Sequence, residues 1–528
     1  MRVAIIASPY PLEEAPAPPL GLTYVAAAFE MAGAEVQIFD YIVSRYTPEK
    51  LRQRLDEFQP HLIGTNSVTL NFPGAAEILQ TAKRCRPEIM TVMGGPHVSF
   101  DAAATLTAYP GIDMIVMGEG EQTIAELMAS GFDPGAFSRI DGIAYRDNGR
   151  IRLTAPRAFI EDINTLPLPA RHLLPLSRYQ ALGFPISMIT SRGCPYQCIF
   201  CQGRRMVGSR IRQRRANAVV DEIENILSYG IDRINIADDL FVSDKKKVQD
   251  VCGEIRRRGL QFSWSAFARV NTVDRETLEI MKQTGCDAIS FGVESGNQEM
   301  LDRIKKKITL EQVRRAVGLC KDVGLLVHCS FIVGLPGETP KTLKDSQTFA
   351  ESLDGVYYGY HLLAPFPGTT VREKASEYDL EILTDDWTQY DANKAIVRTA
   401  ALSPDEILRF VDDFDGKIDG EWQKLLRGYR EGTNTSLDNL RVEGHYRTRL
   451  VYKLLSEDLI EAEGSFADAN SSDETIPALC RRIEAKTAAG MALVEKTLQD
   501  FITRGYIKAK RSGRDWVWHW THNNRVDE

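Results

Sequence analysis

The chain has no basic excess. Its 64 lysines and arginines face 72 aspartates and glutamates, a formal charge of −8, so no global field draws it to nucleic acid. A long apolar run is also missing, which excludes a membrane-spanning helix, and the opening Met1-Arg-Val-Ala-Ile-Ile6 reads as a strand without the core of a signal peptide. The expected location is cytoplasmic. Six of the nine cysteines (Cys85, Cys252, Cys286, Cys320, Cys329 and Cys480) form no pair at metal-ligand spacing. That scatter weakens a structural zinc site and fits a reducing compartment.

The other three cysteines crowd into Ser191-Arg-Gly-Cys-Pro-Tyr-Gln-Cys-Ile-Phe-Cys-Gln202. Cys194, Cys198 and Cys201 on one loop can ligate three irons of a cubane cluster and leave the fourth open, whereas a closed cluster or structural zinc needs four ligands. The alternatives are a zinc site completed from elsewhere and a chance grouping. The spacing C-x3-C-x2-C, with aromatic Phe200 before the last cysteine, resembles the signature of the radical S-adenosylmethionine (SAM) superfamily. The resemblance implies a [4Fe-4S] cluster whose open iron chelates SAM, and so a low-oxygen setting.

A chain of 528 residues exceeds one core and predicts several domains. We expect four segments: 1–130, a connector 131–183, 184–374 and 375–528. The first alternates β-rich runs (Arg2 to Ala7, Glu35 to Phe39, His61 to Thr65, Ile89 to Met93, Met114 to Met117) with helix-sized stretches, which predicts a parallel doubly wound α/β sheet. Ligands on such sheets bind beyond the carboxyl ends of the strands. There stand Ser67-Val-Thr69, Gly94-Gly-Pro-His-Val98 and Gly118-Glu-Gly-Glu121, whose paired glycines permit close backbone approach, although such glycines also serve as plain turns.

Just upstream of the cysteine motif, these loops resemble the Rossmann-like cobalamin-binding domain of B12-dependent radical SAM enzymes. The resemblance implies contacts to cobalamin from Tyr10, Ser67, Thr69, Gly94, Gly95, His97, Gly118, Glu119 and Gly120. One departure is plain. The loop Ser8 to Leu22 has no histidine in an Asp-x-His-x-x-Gly motif, which implies a cobalt without that lower ligand; His97 is the nearest substitute, though its place suits a tail or capping contact better.

From Phe184 to Pro365 strand and helix alternate again, with strands near Ile186 to Thr190, Arg233 to Ala237, Phe262 to Ala268, Ala288 to Val293, Leu326 to Val333 and Gly359 to Ala364. Six such units resemble the partial (β/α)6 barrel of radical SAM enzymes, whose site forms at the strands' carboxyl ends. Within that resemblance, Asp238 and Asp239 face the methionine ammonium, Arg269 the carboxylate, and Glu294, with Ser295, the ribose. Val333 and Gly334, with Leu363 and Pro365, line adenine. Duller roles stand beside these: Asp239 as a helix cap, Arg269 in an ion pair, Glu338 fixing its own turn.

The chemistry implied is reductive SAM cleavage to a 5′-deoxyadenosyl radical, then methylation by methylcobalamin at an unactivated carbon of a small-molecule substrate, with a flavodoxin or ferredoxin as electron donor. The alternative is a non-methylating cyclisation or rearrangement, as in the anaerobic tetrapyrrole cyclase of the same class. A B12 sensor with a structural cluster is the non-enzymatic reading. A methylthiotransferase is excluded, because Cys85 alone precedes the motif.

The last segment is expected to be mainly helical and to cap the substrate. Ser403 and Glu406 form a capping box with Pro404 at the first helical position, predicting a helix through Phe414. Further helices are expected over Tyr446 to Ser456 and Ala478 to Thr503, with Glu461 to Glu474 a mobile loop. A hairpin turning at Ser512-Gly513 puts Trp516, Trp518 and Trp520 on one face, in a winged-helix-like unit that favours packing over nucleic acid. His361, His445 and Tyr446 are candidate substrate contacts.

Overall fold

In the computed structural model, which describes residues 1–12, 16–467 and 469–523, the first 153 residues build one seven-stranded sheet. Strands β1 (Arg2–Ala7), β2 (Glu35–Asp40), β3 (Leu62–Asn66), β4 (Met90–Gly94) and β5 (Met114–Val116) are parallel. Two antiparallel strands, β6 (Ile143–Asp147) and β7 (Arg150–Leu153), complete the order β2-β1-β3-β4-β5-β6-β7. Their presence corrects the reading of residues 131–183 as connector only: Ile143 to Tyr145 are buried and cover the edge that β5 would otherwise expose.

The two faces of this sheet are packed by different helices, because alternate residues of each strand point opposite ways. Val3, Ile5, Leu62, Val92 and Val116 face helices α1 (Leu20–Met31) and α5 (Gly120–Ala129). Ala4, Ile6, Ile63, Met93 and Ile115 face α2 (Pro48–Phe58), α3 (Phe72–Cys85) and α4 (Pro96–Ala108). Residues 13–15 of the loop between β1 and α1 lie outside the described residues.

The second unit is a six-stranded, all-parallel sheet in sequence order: β8 (Ile186–Met188), β9 (Arg233–Ile236), β10 (Ser263–Ala268), β11 (Cys286–Glu294), β12 (Leu326–Val333) and β13 (Tyr357–Leu362). Each strand is followed by one or more helices, the last by only the short Thr370–Glu373, the plan of an open (β/α)6 barrel. Burial alternates with period two. Ile234, Ala266, Ile289, Phe291, Cys329 and Phe331 are buried against the outer helices, while Asn235, Ser265, Ser290, His328 and Ser330 on the inner face are only half-buried.

Beyond the barrel, a short hairpin pairs Leu380–Ile382 with Val397–Thr399. The expected capping box at Ser403 starts a helix that runs on to Glu431, well past Phe414. Two further expectations are corrected. Ala478 to Thr503 is two helices, Ile476–Thr487 and Met491–Thr503, because Ala488 (φ 52°) and Gly490 (φ 83°) turn left-handed between them. The segment 461–474 is not a plain loop either: it ends a helix, Leu459–Glu463, and adds the strand Ser465–Ala467, with only Asp468 undescribed. That strand pairs with Asp515–Trp520, which pairs in turn with Ile507–Ser512. Trp518 and Trp520 are buried against the preceding helices, and Trp518 donates its ring N–H to Thr475 Oγ1 at 2.8 Å.

Candidate functional site

The three-cysteine loop follows β8 and is pinned at both flanks. Ser191–Arg192 pairs with Arg212–Gln213, Cys194 N–H donates to Gly208 O at 3.1 Å, and Ile199 N–H donates to Ile304 O at 3.2 Å. The Ile199 side chain is buried, whereas Cys201 is exposed and Cys194 and Cys198 are partly so. Partial burial pushes the Cys194 thiol up; a bound cation such as iron favours the thiolate form of such a loop. Among the described residues no three His, Cys, Asp or Glu side chains gather around a single ion.

Asp238 has a different task from the one its position predicts. Its carboxylate accepts from Thr190 N–H at 2.6 Å, Thr190 Oγ1 at 2.6 Å and Ser191 Oγ at 2.7 Å, and it is buried. Those bonds tie the end of β9 to the start of the cysteine loop and leave little acceptor capacity for an ammonium. Asp239, by contrast, is exposed; it receives only a long bond from Gly193 N–H, 3.4 Å, and lies beside Cys201 at Gly203.

The other rim residues converge on the same loop. Arg269, after β10, stacks its guanidinium 3.5 Å from the Tyr196 ring centroid and approaches Cys198 Sγ at 3.9 Å. Glu294, at a bulge ending β11, has φ 74° and accepts from Lys306 Nζ at 2.6 Å. A non-glycine residue there costs about 1–3 kcal/mol. Gly292 leaves room beneath it for this pair, because a Cβ there would displace the Glu294 carboxylate and the Lys306 ammonium from their present positions. Ser295 is turned away: it is fully buried and its hydroxyl is engaged with Ser346 Oγ at 3.1 Å. Val333, Leu363 and Pro365 form a buried wall. Gly334 N–H is spent on Glu338 Oε2 at 2.6 Å, and burial raises the Glu338 carboxyl to about 8.

A cavity of about 300 Å³ lies over the first sheet, between α1 and α5. Its floor is Ile5, Leu62, Gly64 and Val92, its walls include Tyr24, Phe29, Ile124 and Leu127, and Gly94, Gly95, Gly118 and Gly120 rim its mouth. Gly95 has φ 101°, and a Cβ would come 2.6 Å from Ser67 O; only glycine closes the two loops this tightly. Ile189, Arg192, Met206 and Val207 of the barrel unit complete the wall.

Three positions expected to contact cobalamin, Ser67, Thr69 and His97, do not line this cavity. Ser67 Oγ turns to Met93 Sδ at 3.7 Å and Thr69 Oγ1 to His97 Nδ1 at 3.3 Å, both on the opposite face of the sheet. His97 is enclosed by Phe72, stacked at 4.0 Å, and by Trp387 at 4.9 Å. Burial, aided by Arg372, lowers its pKa to about 4, so the ring stands neutral, packed between Phe72 and Trp387 and away from the glycine-rimmed cavity. Tyr10 lines an adjoining depression with Ser8 and Asn71, which shares Leu20, Gly21, Leu22 and Asn66 with the cavity.

Glu119 lines the same cavity, but its oxygens are bound to Arg192 at 3.0 Å, Arg212 at 2.7 Å and Ile160 N–H at 2.8 Å. Glu121 holds the other arm of Arg192 at 2.6 Å. Against the desolvation that pushes it up, the two guanidiniums hold the Glu119 carboxyl below its usual range. This buried network crosses the seam between the sheet and the barrel.

Comparison with known proteins identifies this pairing of a glycine-rimmed cavity and a three-cysteine loop. Residues 14–128 match the B12 binding domain family, and residues 188–350 match the radical SAM superfamily. An uncharacterised methyltransferase of Pyrococcus horikoshii is 34% identical over 396 residues, covering 75% of this chain and 86% of its own. The chain belongs to the cobalamin-dependent radical SAM enzymes.

The anaerobic magnesium-protoporphyrin IX monomethyl ester cyclase of Rubrivivax gelatinosus is 29% identical, covering 74% of this enzyme and 72% of its own chain. The solved structure of the radical SAM methyltransferase TsrM from Kitasatospora setae, with cobalamin and a [4Fe-4S] cluster bound, superposes with a TM-score of 0.63 at 22% identity over 73% of this chain and 77% of that one. The enzyme's cofactors are accordingly a [4Fe-4S] cluster, SAM and cobalamin, and its residues fit them. The loop offers three thiols and no fourth, and the apolar cavity suits the nucleotide tail of a corrinoid. Among the described residues no helix is long and apolar enough to cross a membrane.

Sequence reading missed Lys306, Arg192 and Arg212, and placed Glu121 only within the loop after the fifth strand, without a role. Arg192 stands two residues before Cys194 and Glu121 in the same Gly-Glu-Gly-Glu run as Glu119, so adjacency was the available signal. Lys306 had none beyond its place in a run of three lysines.

Proposed function

We propose that this enzyme methylates an unactivated carbon of a small-molecule substrate. The observation that carries the reading is the common wall: Arg192, two residues from Cys194, is also a wall of the apolar cavity. When bound, the reduced cluster supplies reductive cleavage of SAM, and cobalamin supplies a transferable methyl group. The chain's own residues bind, orient and exclude. Arg269 and Asp239 stand at the cysteine loop to receive the methionine end, and Glu294 stands to accept bonds from the ribose. Val333, Leu363 and Pro365 provide an apolar wall for adenine, and Gly94, Gly95, Gly118 and Gly120 let the corrinoid tail enter. The substrate lies on the inner face of the barrel, where Asn235, Ser265, Ser290, His328 and Ser330 offer hydrogen bonds, with His361 exposed above them. A flavodoxin or ferredoxin in the cytoplasm delivers the electron.

A second reading, oxidative cyclisation without methyl transfer, is favoured by the 29% identity to the Rubrivivax cyclase. One experiment separates the two. Anaerobic reconstitution with iron, sulfide and hydroxocobalamin, followed by mass analysis, is expected to yield both 5′-deoxyadenosine and S-adenosylhomocysteine. Deoxyadenosine alone would favour the cyclase reading. Neither product, or products unchanged after Cys194, Cys198 and Cys201 are replaced by alanine, would overturn both.

A further inference from the structure

One lysine touches three of the groups expected at the SAM site. Lys306 Nζ lies 2.6 Å from Glu294 Oε1 and 5.8 Å from the Phe200 ring centroid, and the Lys306 carbonyl accepts from the Arg269 guanidinium. Lys306 and Glu294 are both under 8% exposed. The neighbouring Ile304 carbonyl receives the Ile199 N–H of the cysteine loop, so the segment is fastened to the cluster loop on one side and to the ribose carboxylate on the other.

The backbone is bent to achieve this. Lys305 (φ 56°) and Lys307 (φ 54°) are both left-handed, a conformation that side chains with a Cβ adopt at a cost. Both are exposed, while Lys306 between them turns inward. Two strained residues around one buried cation, meeting a third strained residue at Glu294, are more than salt-bridge packing requires. A carboxylate out of water needs a partner. If it is also to accept from a diol, that partner must leave one edge open, and among the described residues the lysine bonds Glu294 Oε1 and none bonds Oε2.

We infer that Lys306 is a positioning residue of the SAM site, whose ammonium holds the Glu294 carboxylate on Oε1 so that its remaining acceptor capacity meets the ribose hydroxyls. The inference rests on the SAM-binding reading of this barrel rim. Because the bond to Arg269 uses the Lys306 backbone carbonyl, a side-chain substitution leaves it in place and isolates the ammonium.

The test is a comparison of two probes, S-adenosylhomocysteine and its 2′,3′-dideoxyribose analogue, by equilibrium dialysis against anaerobic, cluster-loaded protein. Wild type should prefer the intact ribose by about tenfold or more, since buried acceptors left without their hydroxyls lose affinity. Lys306→Met should reduce that preference to about threefold or less while binding the dideoxy analogue nearly as wild type does. Lys306→Arg should recover part of the preference. Combining Lys306→Met with Glu294→Gln should lose little more than either alone, as expected of two residues acting through one contact. A preference unchanged in Lys306→Met overturns the inference, and so does an equal loss for both probes, the mark of a purely structural role. If Lys306→Met does not fold, Lys306→Arg decides: a full wild-type preference or an equal loss for both probes overturns the inference, and a reduced preference supports it. Failure of wild type to bind either probe overturns the SAM reading itself, and the inference with it.

Discussion

Arg192 donates to Glu119 at 3.0 Å across the seam between the first sheet and the barrel. With Glu121 and Arg212 it forms a four-charge buried network, in which each ion's desolvation is offset by its neighbours. Removing one member strands the rest. Glu119→Ala should therefore cost about 3–5 kcal/mol in chemical denaturation and lower the iron retained after reconstitution, whereas the exposed pair Lys246–Asp250, 3.0 Å apart, should be worth under about 1 kcal/mol.

Filling the cavity should block cobalamin without unfolding the domain. A Cβ on Gly64 meets only ordinary contacts, the nearest being Ile5 Cδ1 at 3.5 Å. Gly64→Val should keep its circular dichroism and weaken hydroxocobalamin binding by about tenfold or more, read by spectral titration.

Gly95→Ala should behave differently. Both its φ of 101° and the 2.6 Å approach to Ser67 O forbid a Cβ, so stability itself should fall by about 1–3 kcal/mol, visible as a lower Tm without any ligand present.

His97 predicts an acid-side loss of stability. Its pKa drops from 6.5 to about 4 on burial. Above pH 6.5 both folded and unfolded chains hold it neutral; between about 6.5 and 4 only the unfolded chain takes the proton, so stability falls as pH falls through that window. Denaturation midpoints of wild type and His97→Phe should converge in slope above pH 7, with the wild type declining more steeply below it.

Asp238→Asn should lower iron loading more than SAM-analogue affinity per loaded cluster, since Asp238 acts on Thr190 and Ser191. An equal fall in both would return it to the ligand set.

What sequence could convey divides along physical lines. Period-two and helical alternation are local, so both sheets and their loops were legible, and the crowding of Cys194, Cys198 and Cys201 on one loop was visible in the spacing, while the cluster they would hold came from the family resemblance. Side-chain direction is not local. Ser67 and Thr69 follow the right strand yet face the wrong side of it, and Asp238 and Ser295 end the right strands with their oxygens already taken. Lys306 was invisible because its burial comes from two left-handed neighbours, and charged runs otherwise read as solvated surface.

Ile189, Arg192, Met206 and Val207 form part of the cavity wall over the first sheet. The first 130 residues, cut free, would therefore present an oily bowl missing one side. Expressed alone, such a fragment should clump and hold corrinoid poorly, and engineers who swap this module between enzymes will need to carry the matching stretch of the neighbour along with it.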